Sequence, residues 1–408
     1  MLLMRNPNTI PAEIDSLLSE GIPTAMDRER YAFDLASVPF GQKVVVHGAG
    51  RFGRLILSGL RQRGIEPIAF TDNNPLLYGE SVEGVRVISP HEGAEKFGRS
   101  AAFVVAVWNG TASDRMGDRI AQLTELGCER VVPAGLLCWK YPDVFLPYYP
   151  LDLPHKALLD KNRVRGAFEL FANDASRAEY LAQMRFRLHL DYDSFTSPLP
   201  HDGYFQSDLY DLQRDEVLVD CGAYDGDSIE SFVRARNEQF EKIIAFEPDP
   251  GNWTNLKKRL SKFQTSVAGR VTPLPYALGS MPGTVQFDST GTETARIGKG
   301  PVTVRCVVLD DVLRDARPTF MKFDIEGAEL DALNGARQVI TNHRPIMVVS
   351  CYHQQSHLWE VPLLLADLCR DYRFFLRPHG SEGWDLLTYA VPVERLRLET
   401  GVMGASRP

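Results

Sequence analysis

Apolar positions recur at helical intervals from residue 14 to residue 37, and the pattern stops near Pro39. That spacing predicts an amphipathic helical leader within residues 1–40. A different pattern begins at Lys43. The run KVVVH at 43–47 is a short β-branched strand, followed by a glycine turn and a helical stretch over 51–63. Further apolar runs at 67–70, 85–88, 102–107 and 130–133 read as strands, and 113–126 reads as a helix. Strands alternating with helices at this spacing predict a parallel sheet with crossover helices over residues 41–150. A proline-rich stretch from 141 to 154 closes that unit. Residues 155–190 are mostly helical in pattern, with good helix formers concentrated in 175–190, so 151–203 reads as a helical connector. After a broken stretch at 197–203, a second strand–helix alternation starts at Val217, and the second unit is taken as 204–408. Beyond these two α/β units the sequence has no repeat and no low-complexity segment.

A length of 408 residues suits two domains of roughly 100–200 residues each. With 44% apolar and 24% charged residues, each unit can bury a core of its own. The formal net charge of −8 argues against a nucleic-acid partner, because neutralising phosphates requires a basic surface. Cys128, Cys138, Cys221, Cys306, Cys351 and Cys369 form no CxxC pair, and several lie in strand-like apolar runs. Buried thiols in a reducing compartment fit that usage better than disulfides or a zinc site. The N-terminal apolar stretch is too short for a signal peptide and is interrupted by Pro7 and Pro11. No run of about 18 apolar residues occurs, so no membrane span and a cytoplasmic location are expected.

The segment EVLVDCGAYDGDS at 216–228 reads as a strand, a turn with Gly222 and Gly226, and the start of a helix. Asp220 sits at the carboxyl end of that strand, where open α/β sheets bind ligands. The turn lacks the third glycine of the dinucleotide fingerprint, and Asp220, Asp225 and Asp227 would repel a pyrophosphate. They suit a cationic ligand, and S-adenosylmethionine carries an ammonium and a sulfonium. The loop from Gly222 through Ala223, Tyr224, Asp225 and Gly226 to Ser228 is therefore taken as cofactor-binding. The next strand ends in Glu247-Pro248-Asp249-Pro250. A carboxylate at that tip can accept hydrogen bonds from both ribose hydroxyls of an adenosine, and Asp249 with Pro250 is a helix-start signal. Asp220 and Glu247 could each be a mere capping acid; their order on adjacent strands favours a cofactor. Tyr276 and Ala277 follow a third strand where the adenine would lie, and Asp324 ends a fourth strand aimed at the same crevice.

In order, these motifs resemble those of the FkbM family of methyltransferases. D-x-G-A-x-x-G stands at 220–226, E-P-D-P at 247–250 and K-x-D-I-E-G-A-E at 322–329. A hairpin insertion around 283–309 and strands at 345–352 and 386–392 also fit, so the resemblance covers 204 to about 392. It implies a seven-stranded class I methyltransferase sheet whose last strand is antiparallel. It also implies S-adenosyl-L-methionine as cofactor and a hydroxyl acceptor on a sugar, glycolipid or natural product. Methyl transfer to oxygen is mainly a matter of positioning, assisted by a base that takes the hydroxyl proton. His353 is one candidate base, with an ordinary pKa of about 6.5, although it could instead hydrogen-bond a loop carbonyl. Asp324 and Glu326 are the others, with Lys322 paired to a carboxylate. Two of Asp324, Glu326 and Glu329 could hold a hard cation such as Mg2+, or Glu326 and Glu329 could be first-turn helix charges.

The first glycine turn is a separate matter. HGAGRFG at 47–53 fits G-x-G-x-x-G between a strand and a helix, with Asp72 after the second strand. The candidate second nucleotide site is Gly48, Gly50, Arg51, Phe52, Gly53, Asp72 and Asn73. DNNP at 72–75 and GVRVI at 84–88 resemble the small nucleotide-binding modules that precede some sugar acyltransferases, which implies a nucleotide or nucleotide-sugar ligand. An NAD-dependent oxidoreductase would need a hydride-transfer constellation, and none stands between 108 and 154. A docking or dimerisation module, which leaves a homodimer open, and a non-catalytic sugar-nucleotide-binding protein are the other readings. The fold class expected is thus two Rossmann-like doubly wound domains joined by a helical connector.

Overall fold

The computed structural model describes residues 10–110, 115–199, 204–205, 208–288, 296–298 and 300–397. The leader forms two helices, Ile10–Leu18 and Ile22–Ser37, where the pattern predicted one. Gly21 caps the second, and Pro23 in its first turn lacks the N–H that a continuous helix would need.

The first sheet contains β1 (Val44–His47), β2 (Ala69–Thr71), β3 (Ser81–Val82), β4 (Val85–Ile88), β5 (Ala102–Val105) and β6 (Val131–Pro133). Their order is β3-β4-β2-β1-β5-β6, parallel except for the β3–β4 pair. The central strands are buried on both faces, which is why they read as continuous apolar runs. β3 escaped the sequence reading because two residues carry no period. Glu83 and Gly84, at φ 50 and 87, turn it tightly onto β4.

The second unit contains β7 (Val217–Cys221), β8 (Lys242–Phe246), β9 (Val271–Leu274), β10 (Ala277–Leu278), β11 (Gly283–Asp288), β12 (Arg296–Ile297), β13 (Val302–Val307), β14 (Phe320–Phe323), β15 (Ile346–Ser350), β16 (Tyr372–Pro378) and β17 (Leu386–Pro392). Seven of them form a sheet of order β16-β17-β15-β14-β7-β8-β9, in which β17 runs antiparallel to both neighbours. β10 to β13 make a separate four-stranded sheet beyond β9.

The helices Lys161–Leu170 and Asp174–His189 are not a free-standing connector. Phe168, Tyr180 and Met184 share one apolar cluster with Val219, Phe323 and Val349 of the second sheet, and Ile14 of the leader joins it. Phe186, on the helix Asp174–His189, packs instead with Phe103 and Trp108 of the first unit. One helix therefore belongs to both cores. The β16–β17 loop adds polar ties: Trp108 Nε1 donates to the Glu382 carbonyl at 3.0 Å, and the Met116 amide to the Glu382 carboxylate at 2.7 Å. All six cysteines are buried and free. No helix among the described residues is long and apolar enough to cross a membrane.

Candidate active site

Strand register brings the motif residues of the second unit to one edge. Cys221 lies opposite Phe246, and Asp220 opposite Lys322, so Gly222, Glu247 and Asp324 leave their strands side by side at the carboxyl edge. With Tyr224, Pro248, Tyr276, Ala277, Lys322 and Glu326 they line a cavity of about 350 Å³. Gly222 has φ +92, and a Cβ there would stand 1.9 Å from the Asp324 carbonyl oxygen, so only glycine fits. Glu247 is buried, and its carboxylate accepts from the amides of Tyr224 and Asp249, both at 2.8 Å. Burial pushes its carboxyl up to about 7, against the opposing pull of those amides.

Other residues assigned to the cofactor act on the loop from behind. Asp220 is fully buried, 3.0 Å from Lys322 Nζ, and accepts from the Ser228 hydroxyl at 2.5 Å. Lys322 also donates to the Gly222 carbonyl at 2.6 Å. Burial alone would lower the lysine's pKa, but Asp220, then Asp324 and Asp227, hold it above its ordinary value. Asp225 pairs with Arg259, and Asp249 caps the helix Pro250–Leu260 through the Gly251 and Asn252 amides at 2.7 and 2.9 Å. Gly226, at φ +91, starts the helix Asp227–Ala235, and Ala223 is buried. None of Asp220, Ala223, Asp225, Gly226, Ser228 and Asp249 lines the cavity.

His353 also stands behind the wall. It lines neither of the two cavities described here, and its side chain is 1% exposed. Its Nδ1 lies 2.8 Å from Glu329 Oε1, and its Nε2 lies 3.4 Å from Glu326 and 3.5 Å from Asp324. Burial alone would lower its pKa, but Glu329 and Glu326 raise it well above the ordinary histidine value. The ring is therefore surrounded by three carboxylates. Glu329 also accepts from the Ile325 amide at 2.9 Å and faces His357 Nδ1 at 3.2 Å. Asp324 accepts from the Ser350 and Tyr204 hydroxyls, each at 2.7 Å. Asp324, Glu329 and His353 each offer a ligand atom within 4.8 Å of the others.

Tyr204, Ser350, Tyr352 and Asp385 also line the wall, with Phe287 and Ile297 arriving from the small sheet. The sequence reading missed all of them. Only Ser350 and Tyr352, one strand position and one exit position beside His353, carried a readable signal: register alone predicts neighbours for Asp324.

The glycine turn of the first unit opens on a second cavity, of about 550 Å³. Gly48, Gly50, Arg51, Phe52, Asp72 and Asn73 line it. Gly53 packs beneath, where a Cβ would stand 1.8 Å from the Gly48 carbonyl oxygen. Asp72 accepts from the Ala49 and Asn74 amides, both at 2.8 Å, and the Asn73 amide pairs with that of Gln122 at 2.9 Å. The far wall comes from the second unit, through Glu326, Tyr352, Trp384 and Asp385. The carboxyl edges of the two sheets thus face one another across this space.

Residues 220–382 match the family model described as the Methyltransferase FkbM domain. The chain is similar to the crystal structure of Methyltransferase FkbM from Methylobacillus flagellatus, at 24% identity and a TM-score of 0.75, over 94% of this chain and 100% of that one. At that identity the likeness concerns the fold, and it extends through both units. Precorrin-6y C5,15-methyltransferase from Geobacter metallireducens aligns over 44% of this chain and 82% of its own, at 15% identity and a TM-score of 0.30. A methyltransferase from Podospora anserina bound to SAH aligns over 43% and 71%, at 11% identity and 0.26. No curated protein matches the chain.

Proposed function

We propose that this protein is an S-adenosylmethionine-dependent O-methyltransferase acting on a hydroxyl of a sugar, glycolipid or natural product. The observation that carries the reading is Glu247. It is a buried carboxylate at the second strand tip, fixed by two backbone amides, on the wall of a cavity whose other acids include Asp227 and Asp324. Those residues fit the cofactor: Glu247 for the ribose hydroxyls, Tyr276 for the adenine, and the two aspartates for its positive charges. When bound, the cofactor supplies an electrophilic methyl group whose bond to sulfur breaks, with the electron pair staying on sulfur, as the acceptor oxygen bonds to carbon.

The chain's own part is to position that oxygen and to take its proton. Glu326 is suited to both, since it lines the cavity and His353 and Tyr149 hold it from two sides. A base must come within hydrogen-bond reach of the proton that it removes. We therefore assign proton acceptance to Glu326, and to His353 the positioning of the carboxylates around it. Lys322 keeps the loop closed.

Two measurements on the full-length chain test the reading. Titration calorimetry with S-adenosylmethionine should give stoichiometric binding, and mass spectrometry of metabolite pools supplied with protein and cofactor should find a compound gaining one methyl group. Binding of NAD in place of S-adenosylmethionine would overturn it in favour of an oxidoreductase.

A further inference from the structure

The two cavities adjoin. Glu326, Tyr352 and Asp385 line both, so the space over the glycine turn of the first unit neighbours the space that holds the proposed methyl donor. We infer that the ligand of the first unit is the methyl acceptor itself, a nucleoside diphosphate-linked sugar with its nucleotide on the first unit and its sugar at Glu326. This rests on the methyltransferase reading above.

Charge and surface along the second cavity match such a molecule from end to end. Arg51 and Arg119 line the cavity from the first unit, and guanidinium groups are the side chains best matched to phosphate oxygens. Asp72 is the acid on that side, held by the Ala49 and Asn74 amides. Gly50 leaves the approach open: a Cβ there would meet nothing within 4 Å. At the other end the charges reverse, and Glu326 and Asp385 offer carboxylate acceptors to hydroxyl groups. Between the ends the walls are aromatic. Phe52 stacks on Tyr148 at 4.7 Å, and Tyr149 lies 4.8 Å from Trp384. Flat apolar faces with polar edges suit a sugar ring or a base.

The fold also fixes the two ends relative to one another. Glu382 ties the β16–β17 loop, which carries Trp384 and Asp385, to Trp108 and Met116 of the first unit. A free sugar would occupy only the junction and leave the arginine end of a 550 Å³ cavity without a role.

The test uses the full-length protein and four probes: UDP-glucose, dTDP-glucose, GDP-mannose and ADP-glucose, compared with free glucose, free mannose and NAD. At least one nucleotide-sugar should bind in calorimetry where the free hexoses do not. With S-adenosylmethionine present, mass spectrometry should find the added methyl on the intact nucleotide-sugar. Gly50→Glu, whose Cβ would meet nothing within 4 Å, places a negative charge on the glycine turn. It should weaken nucleotide-sugar binding at least about tenfold while S-adenosylmethionine affinity is unchanged. The inference is overturned if none of the four binds, or if NAD binds in their place. It is also overturned if a nucleotide-sugar binds but stays unmethylated while a nucleotide-free acceptor is methylated. Failure to bind S-adenosylmethionine would be a different result, removing the methyltransferase reading on which the inference stands.

Discussion

Glu326 holds one carboxylate oxygen 3.4 Å from His353 Nε2, while the other takes a hydrogen bond from the Tyr149 hydroxyl at 3.3 Å. The two contacts come from opposite units of the chain, and Glu326 lines both cavities. Glu326 itself sits at φ +55, a left-handed conformation that a residue other than glycine adopts at some cost.

Glu326→Gln keeps the shape and the Tyr149 contact but cannot accept the hydroxyl proton. Turnover should fall by about 10²–10⁴-fold with S-adenosylmethionine affinity nearly unchanged. Single-turnover rates, read beside calorimetric affinity, check this. A folded variant that keeps more than about a tenth of normal turnover would remove Glu326 from the role. His353→Gln, by contrast, should lower the rate and change its pH profile, since it removes a titratable ring 3.4 Å from Glu326. A purely structural histidine would leave that profile in place.

Glu247 provides a pH test of the cofactor site. Its carboxyl titrates at about 7 because burial disfavours the charged form. Ribose hydroxyls donate to the ionised form, so binding must release a proton wherever Glu247 is neutral. The dissociation constant for S-adenosylmethionine should therefore rise as pH falls through 7 and level off above it. Glu247→Gln should flatten that dependence and weaken binding at neutral pH at least about tenfold. A wild-type affinity that does not vary between pH 6 and pH 8, roughly a unit either side of that value, would exclude Glu247 as the ribose partner.

Much of this was legible in the sequence, because each signal was local. Asp220, Glu247 and Asp324 stand at or just past the carboxyl ends of strands of four or five residues, and parallel register then sets them side by side. What escaped was set by tertiary contact. Asp220 looked like a ligand for a cationic cofactor, but Lys322 lies opposite it in register and occupies its oxygen. His353 was assigned an ordinary pKa, and only the packed structure reveals Glu329 against one nitrogen and Glu326 near the other. Tyr204, Trp384 and Asp385 stand in irregular segments without period, and nothing local marks them.

Lys322→Met should act on stability far more than on chemistry. The lysine and Asp220 are 3% and 0% exposed, so removing the cation strands a buried carboxylate. A loss of about 3–5 kcal/mol in denaturant unfolding is expected. The double variant Lys322→Met with Asp220→Asn should recover part of it, since no uncompensated charge remains. No difference between the single and double variants would show that the pair is not coupled.

Glu329→Gln tests the buried charge cluster and the metal question together. Glu329 is fully buried, and despite burial His353 and His357 hold its carboxyl well below the ordinary value. For His353 the sign is the opposite: its folded pKa is raised, so the folded state binds more protons than the unfolded state above about pH 6.5. Its contribution to stability is complete below that pH and is lost as pH rises toward the folded value. The wild type should therefore lose stability as pH is raised above about 6.5. In Glu329→Gln the largest charge opposing the desolvation of His353 is gone. The slope over that range should flatten or reverse, with about 3–5 kcal/mol lost at pH 6 as for other broken buried pairs. Urea melts at intervals across the range read both effects, and parallel stability curves for the two proteins would show that the ion pair does not form. Because Glu329 and His353 already neutralise one another, EDTA should change neither the melts nor turnover. A chelator that reproduced the Glu329→Gln phenotype would instead place a cation among Asp324, Glu329 and His353, and would require a neutral imidazole there.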